Sequence, residues 1–195
     1  EMRRSLVGSE MCIRDRSNMW FKNGKKQVEV NYKDDMLDGK ITSWYENGQK
    51  QSEVNFKDDM LDGKMTSWFE NGQKELEGNY KDDKEDGKTT TWHENGQKKS
   101  EANFKDGKQY NLIDFNQFGG WKEIEVNYNK SGKKDGKMTM WFENGQKKAE
   151  TNFKDDMLDG KTTSWFENGQ KELEGNYKDG EIDGNWTQWN KNGQK

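Results

Sequence analysis

Residues 40–63 read KITSWYENGQKQSEVNFKDDMLDG, and the way this phrase turns decides the fold. Asn47-Gly48 stands between two runs containing Ile, Thr, Val, Tyr and Phe, the strongest short-range signal for a β-hairpin. A two-residue type I′ turn needs positive φ at both central positions, and Asn and Gly tolerate it. One hairpin per phrase is expected. The second connection, KDDMLDG at residues 57–63, is read as returning the chain through Asp62-Gly63 to the next Lys64. A helix does not fit: the phrase spends its glycines inside any candidate helix and shows no apolar stripe at i, i+3, i+4. The chain contains no proline, as suits backbone whose amides are committed to a sheet ladder.

The phrase recurs. Trp20, Trp44, Trp68 and Trp92 are 24 residues apart, as are Trp141, Trp165 and Trp189. Between Trp92 and Trp141 lie 49 residues, two periods plus one, which places a diverged copy at about 105–140. Its Trp slot is expected at Asn116 and its extra residue between Tyr128 and Asp135. Self-similarity at this period signals a repeat array rather than separate domains. The expected architecture is all-β: one elongated, single antiparallel meander sheet of repeated hairpins, with at least about twelve strands.

Counting outward from a two-residue turn assigns the faces. Ile41, Ser43 and Tyr45 share one with Lys50, Ser52, Val54 and Phe56. Thr42 and Trp44 share the other with Gln51, Glu53 and Asn55. The first carries the aliphatic slots and is the expected core face. The second presents a Trp every two strands, about 9.5 Å apart.

Composition limits what such an array can do. Hydrophobic residues make up 27% and charged residues 36%, against roughly 45–50% (glycine included) and about 25% in ordinary domains, so no thick core forms. No apolar run approaches the ~20 residues of a membrane-spanning helix. The net charge of −4, with both signs interleaved, gives no basic footprint for nucleic acid. The first sixteen residues, EMRRSLVGSEMCIRDR, share nothing with the repeats and lack the apolar run of a signal peptide. Leu6 to Arg16 is spelled by the codons of a sequencing-library adapter, so residues 1–16 are read as an artefact outside the fold and 17–195 as the array. That removes Cys12, the only cysteine, from consideration. The closing WNKNGQK stops in the middle of the phrase, so a fragment of a longer gene is expected. Cytoplasmic and exported locations both stay open, as does the oligomeric state.

The aromatic, the Glu, the Asn-Gly turn, and then Phe or Tyr, Lys, Asp and a later Gly resemble the MORN repeat. The similarity is greatest to its bacterial variant, found in proteins labelled YwqK-type antitoxins. In WFENGQKKAETNFKDDMLDGK, residues 141–161, Asn144-Gly145, Glu150, Phe153 and Gly160 stand in the matching places. The resemblance implies a string of hairpins in one twisted sheet, and a toxin as one partner to consider.

The candidate sites are few. His93, the only histidine, fills a slot held elsewhere by Phe, Tyr or Asn and has no positioned partner in sequence, so it is read as a surface position and no catalytic residue is assigned. Asp58, Asp59 and Asp62 invite a calcium reading, but EF-hand spacing would put a ligand at Met60 and a Glu at Phe69. They are read as turn residues, with no metal or cofactor expected. The Trp ladder stays open between two readings. One is packing over neighbouring strands; the other is a strip at Trp44, Trp68, Trp92, Trp141 and Trp165 that anchors a partner. The leading functional expectation is a non-catalytic scaffold that binds another protein, antitoxin-like in the resemblance. The alternative is a structural or cell-surface repeat protein that binds carbohydrate.

Overall fold

A computed structural model describes residues 14–195. It contains no helix; 18 strands form one sheet. Every pairing is antiparallel and, with each two-residue strand counted together with the strand that follows it, joins neighbours in sequence, from Arg14–Trp20 against Lys26–Lys33 to Lys171–Lys178 against Glu181–Gln188. The expected single meander of hairpins is the fold. Three two-residue strands, Met36–Leu37, Lys84–Glu85 and Met157–Leu158, are the leading pieces of longer rungs interrupted by one residue. Arg14, Asp15 and Arg16, which a boundary at residue 17 leaves outside the array, pair with Lys33, Tyr32 and Asn31. That pairing uses backbone groups, so it is indifferent to the origin of their codons. Residues 1–13 lie outside the described residues.

The two turns carry their strain in the reverse order from the expectation. Asn47 is absent from the positive-φ residues, and only Gly48 turns left-handed, at 96°. The loop is Glu46-Asn47-Gly48, closed by Tyr45 N–H to Gln49 O at 2.8 Å and Gly48 N–H to Tyr45 O at 2.9 Å, a type I turn followed by glycine. The two-residue turn with both central residues left-handed lies instead at Asp58 (φ 49°) and Asp59 (φ 65°), where Lys57 pairs with Met60. Asp62-Gly63 is not a turn. It is a bulge beyond Leu61, where Gly63 adopts φ 106° and Asn55 donates across to the Lys64 carbonyl at 2.5 Å.

The three-residue loop shifts the register by one, and a bulge restores it. Trp44 pairs with Lys50 but Ser43 with Ser52, so Gln51 is the extra residue. Beyond it the pairs Thr42–Glu53 and Ile41–Val54 are those that a two-residue turn would have given. The bulge moves two side chains to the face opposite the expected one: Lys50 reaches Glu53 on the Trp face, and Gln51 reaches Ser43 on the other.

Asn47 and Asp59 are retained for a reason beyond their own turns. Asn47 Nδ2 donates to the Glu70 carbonyl in the next hairpin at 2.9 Å, while its Oδ1 accepts from Gln49 N–H. At the other margin Asp59 Oδ1 accepts from Leu37 N–H at 2.7 Å, and Asp59 N–H donates to Leu37 O. Asp83 makes the same pair of bonds with Leu61, and Asp156 with Lys134. Each margin is thus stitched between the regular copies.

The sheet is one layer, and its burial is thin. Among the described residues only Ala102 (8% exposed) and Val126 (4%) are buried hydrophobic side chains. The expected core face contributes these two. The Trp face buries as much: Thr42, Thr66, Thr90, Thr139 and Thr163 are all under 9% exposed. A core confined to the aliphatic face is therefore corrected to cover on both faces.

Candidate functional site

Register alone builds the central row of the Trp face. Running across the sheet, Glu29, Thr42, Glu53, Thr66, Glu77, Thr90 and Glu101 pair in succession. After Ile113 the row resumes as Glu125, Thr139, Glu150, Thr163, Glu174 and Thr187. A small hydroxyl beside each carboxylate leaves room for lysine stems to lie over the row.

Those lysines organise the face. Lys50 reaches Glu53 at 2.6 Å, and its ammonium lies 5.7 Å from the centre of the Trp68 ring. Lys74 repeats this with Glu77 (2.5 Å) and Trp92 (5.6 Å), and Lys147 with Glu150 (2.6 Å) and Trp165 (5.8 Å). Lys26 lies over Trp44 at 5.4 Å, and Lys122 over Trp141 at 4.2 Å. A second lysine completes several of the clusters: Lys64 on Glu77 at 2.9 Å, Lys88 on Glu101 at 2.8 Å and Lys137 on Glu150 at 2.7 Å. The bulge makes this possible, because in an unbroken strand residues i and i+3 point to opposite faces.

The electrostatics follow from that enclosure. The hydrogen bond from Lys50 holds the Glu53 carboxyl below its ordinary value against the opposing effect of burial. Glu29 is lowered in the same way by Lys26, Glu77 by Lys74 and Lys64, Glu150 by Lys137 and Lys147, and Glu174 by Lys171 and Lys161. For Glu101 burial is the largest influence and pushes upward, yet the bonds from Lys88 and Lys98 leave it lowered. On the other face burial raises the Asp114 carboxyl, and Glu123 adds to the rise.

Trp44, Trp68, Trp92, Trp141 and Trp165 fall in one row on this face and are half-buried. The structure places all five under lysine ammoniums. The row does not break where Asn116 was expected in the Trp slot. Phe115 occupies that slot: it pairs with Lys122 as Trp44 does with Lys50, and Lys98 sits 5.7 Å from its ring centre. The diverged copy is one residue short before Phe115 and one long in its turn, where Asn116 N–H reaches Trp121 O. A further residue lies in the 129–133 loop, within the segment assigned to the insertion. Phe118 in the enlarged turn is 80% exposed.

His93 closes its turn through N–H to Gln97 O and is half-buried. Asp58 and Asp59 are turn residues, and the Asp59 carboxylate is committed to Leu37 N–H. Among the described residues no cluster of three His, Cys, Asp or Glu side chains could hold a metal, and no helix is long and apolar enough to cross a membrane.

Lysine's part was missed in the sequence, although the signal was present: Lys-x-x-Glu recurs with the period, at Lys50 and Glu53, Lys74 and Glu77, Lys98 and Glu101. Without the bulge that spacing reads as two opposite faces.

Six segments match the MORN repeat variant, at residues 17–34, 37–58, 61–82, 85–106, 134–155 and 158–179. The chain belongs to the MORN repeat variant family. The unmatched gap, 107–133, holds the diverged hairpin, which continues the MORN sheet despite its altered turns. No curated protein matches the chain. MORN repeats are generally scaffold or binding repeats and typically non-catalytic.

Proposed function

We propose that this MORN repeat protein is a non-catalytic scaffold that binds another protein along the strip formed by Trp44, Trp68, Trp92, Trp141 and Trp165. The observation that carries the reading is the alignment of one unit, a half-buried indole with an ammonium over it and a carboxylate beside the ammonium, repeated hairpin after hairpin. Aromatic anchors ringed by polar groups are the usual energetic centres of protein interfaces. Phe115 fills the step between Trp92 and Trp141, so the strip is continuous. A lysine ammonium lies within 6 Å of the centre of each ring, a charged, polar surround that favours a protein partner over a glycan. A toxin is the finer partner that the resemblance to YwqK-type antitoxins supports.

The test is partner capture with Trp68 and Trp165 both changed to Ala, after the far-ultraviolet spectrum shows the sheet retained. A loss of more than about tenfold in affinity is expected, because hot-spot truncations typically cost over ~2 kcal/mol each and equivalent anchors share the load. Undiminished binding by the folded double variant refutes the strip. A toxin as partner is tested separately, by whether the captured protein arrests growth when expressed alone and is neutralised by this chain.

A further inference from the structure

Five turns of the array share the same four residues, Glu-Asn-Gly-Gln, at 46–49, 70–73, 94–97, 143–146 and 167–170. Asn-Gly is the dipeptide most open to spontaneous deamidation, because glycine has no side chain to obstruct attack by its own amide nitrogen. With identical flanks the five have closely similar intrinsic reactivity, so the fold decides which one reacts.

Four are tethered. Asn47 Nδ2 donates to Glu70 O at 2.9 Å, Asn71 to Glu94 O at 2.9 Å, Asn144 to Glu167 O at 3.0 Å and Asn168 to Lys191 O at 2.9 Å. Each bond crosses to the following hairpin and restrains the carboxamide nitrogen, while in all five loops the carboxamide oxygen accepts from the N–H of the glutamine two residues on. Asn95 has no such bond. Its Nδ2 donates within its own loop to Gln97 Oε1 at 3.3 Å, because the following turn is the enlarged 116–120 loop, where the Phe118 carbonyl accepts from Gln97 instead. The glycine side does not set Gly96 apart from Gly72 and Gly169, while Gly48 meets only Lys25 and Gly145 is open. Gly96 N–H bonds to His93 O at 2.8 Å, as Gly72 and Gly169 bond to Phe69 and Phe166. A preceding glutamine lies against all three glycines, Gln49 on Gly72, Gln73 on Gly96 and Gln146 on Gly169.

We infer that Asn95-Gly96 is the deamidation site among these five, a modification point created by the diverged fifth copy. The Gly96 amide nitrogen gives its proton to solvent base and attacks Asn95 Cγ. The Cγ–Nδ2 bond breaks, ammonia leaves and a succinimide remains. Water then opens the ring to aspartate or isoaspartate. At the other four sites reaction first requires breaking the tether, and the product exchanges the donating amide for a carboxylate facing a carbonyl. At Asn95 no bond between copies is lost.

The digest separates the sites cleanly. Trypsin releases residues 41–50, 65–74, 89–98, 138–147 and 162–171 as five peptides of different sequence. Native protein is held in warm, mildly alkaline buffer and a parallel sample in concentrated urea, and both are mapped over time by mass spectrometry for replacement of NH2 by OH and for isoaspartate. In the native sample, 89–98 is expected to convert roughly five- to tenfold faster than the other four, the value of one hydrogen bond. In urea the five should convert at similar rates. Two results overturn the inference: 89–98 no faster than its fellows in native protein, or the same lead persisting in urea, which would assign it to local sequence and not to the missing tether.

Discussion

Asp59 separates two causes that coincide in the second turn. Its backbone is left-handed, at φ 65°, and its carboxylate accepts the Leu37 amide of the preceding copy at 2.7 Å. A non-glycine residue held left-handed costs about 1–2 kcal/mol, less for Asp and Asn, and a hydrogen bond contributes about 1 kcal/mol net. Asp59→Asn keeps an acceptor and a residue that tolerates this backbone, so its loss should stay within about 0.5 kcal/mol. Asp59→Gly loses the bond but relieves the backbone, and the two changes offset to within about 1 kcal/mol. Asp59→Ala loses both and should cost about 2–3 kcal/mol. Gly107 and Gly180 stand at this position in two natural turns, each with its backbone bond to the previous copy intact, which shows that glycine fits. The assay is urea unfolding of the whole chain with slopes compared, so that midpoint shifts report stability. Coincident midpoints for Ala and Gly would remove the backbone constraint. Coincident midpoints for Ala and Asn would remove both the stitch and the backbone constraint.

Other outcomes follow from the same geometry. The lowered carboxyls of Glu29, Glu53, Glu77, Glu101, Glu150 and Glu174 contribute stability that is fully present above the unfolded carboxylate value, about 4.3. It is lost as pH falls through the lower folded values; the melting temperature should decline there, and Glu101→Gln should shallow the decline. Tyr45→Phe removes the hydroxyl that donates to Trp68 O at 2.8 Å and should cost about 1 kcal/mol in urea titration, no more, since Phe69 and Phe166 fill the same slot. Gly175→Ala would place a Cβ 2.3 Å from the Trp186 indole, displacing a ring that packs edge-on to Tyr177 at 5.2 Å; a loss of about 1–3 kcal/mol is expected. Amide exchange should be fastest at residues 105–133, because among the described residues no backbone bond stitches the 106–107 turn to the 129–133 loop, and stability in such arrays sums over neighbours.

The spacing of the tryptophans carried the hairpin order, and counting outward from Asn47-Gly48 gave the pairing of Thr42 with Glu53, because period and alternation are properties of the sequence; the lower bound of about twelve strands fell short of the 18 formed. The turn types were not legible. Asn-Gly fits both a two-residue and a three-residue loop, and the choice depends on a bulge at Gln51 that no residue type announces. Asp58-Asp59 looked like ordinary turn acid, since its left-handed backbone is sustained by a bond to Leu37, 22 residues away. Asn116 was placed in the Trp slot by counting from Trp92. The count fails because a deletion before Phe115 and an insertion after it compensate, and only the pairing with Lys122 separates them. The five tryptophans were readable as a row. The lysine over each was not, because it depends on which way the bulge turns the side chain.

The same side chains serve as cover and as candidate interface, and this constrains how the strip can work. A single-layer sheet with two buried apolar side chains must exclude water from its ladder by other means. On the Trp face it does so with lysine stems and indoles laid over a row of threonines, the charges satisfied by the glutamates between them. Thr89 and Thr151 on the opposite face are buried to the same degree, so the packed ladder itself contributes to the cover, and removing an indole takes away part of that cover along with an anchor. A partner arriving at the strip meets ammonium groups already bonded to carboxylates, and its own contribution must be to replace water at the indole edges without drawing the lysines from their glutamates. If the strip binds as proposed, binding and stability are coupled at every repeat. An affinity loss on replacing Trp68 and Trp165 is attributable to the interface only when the sheet of the variant is shown to be intact.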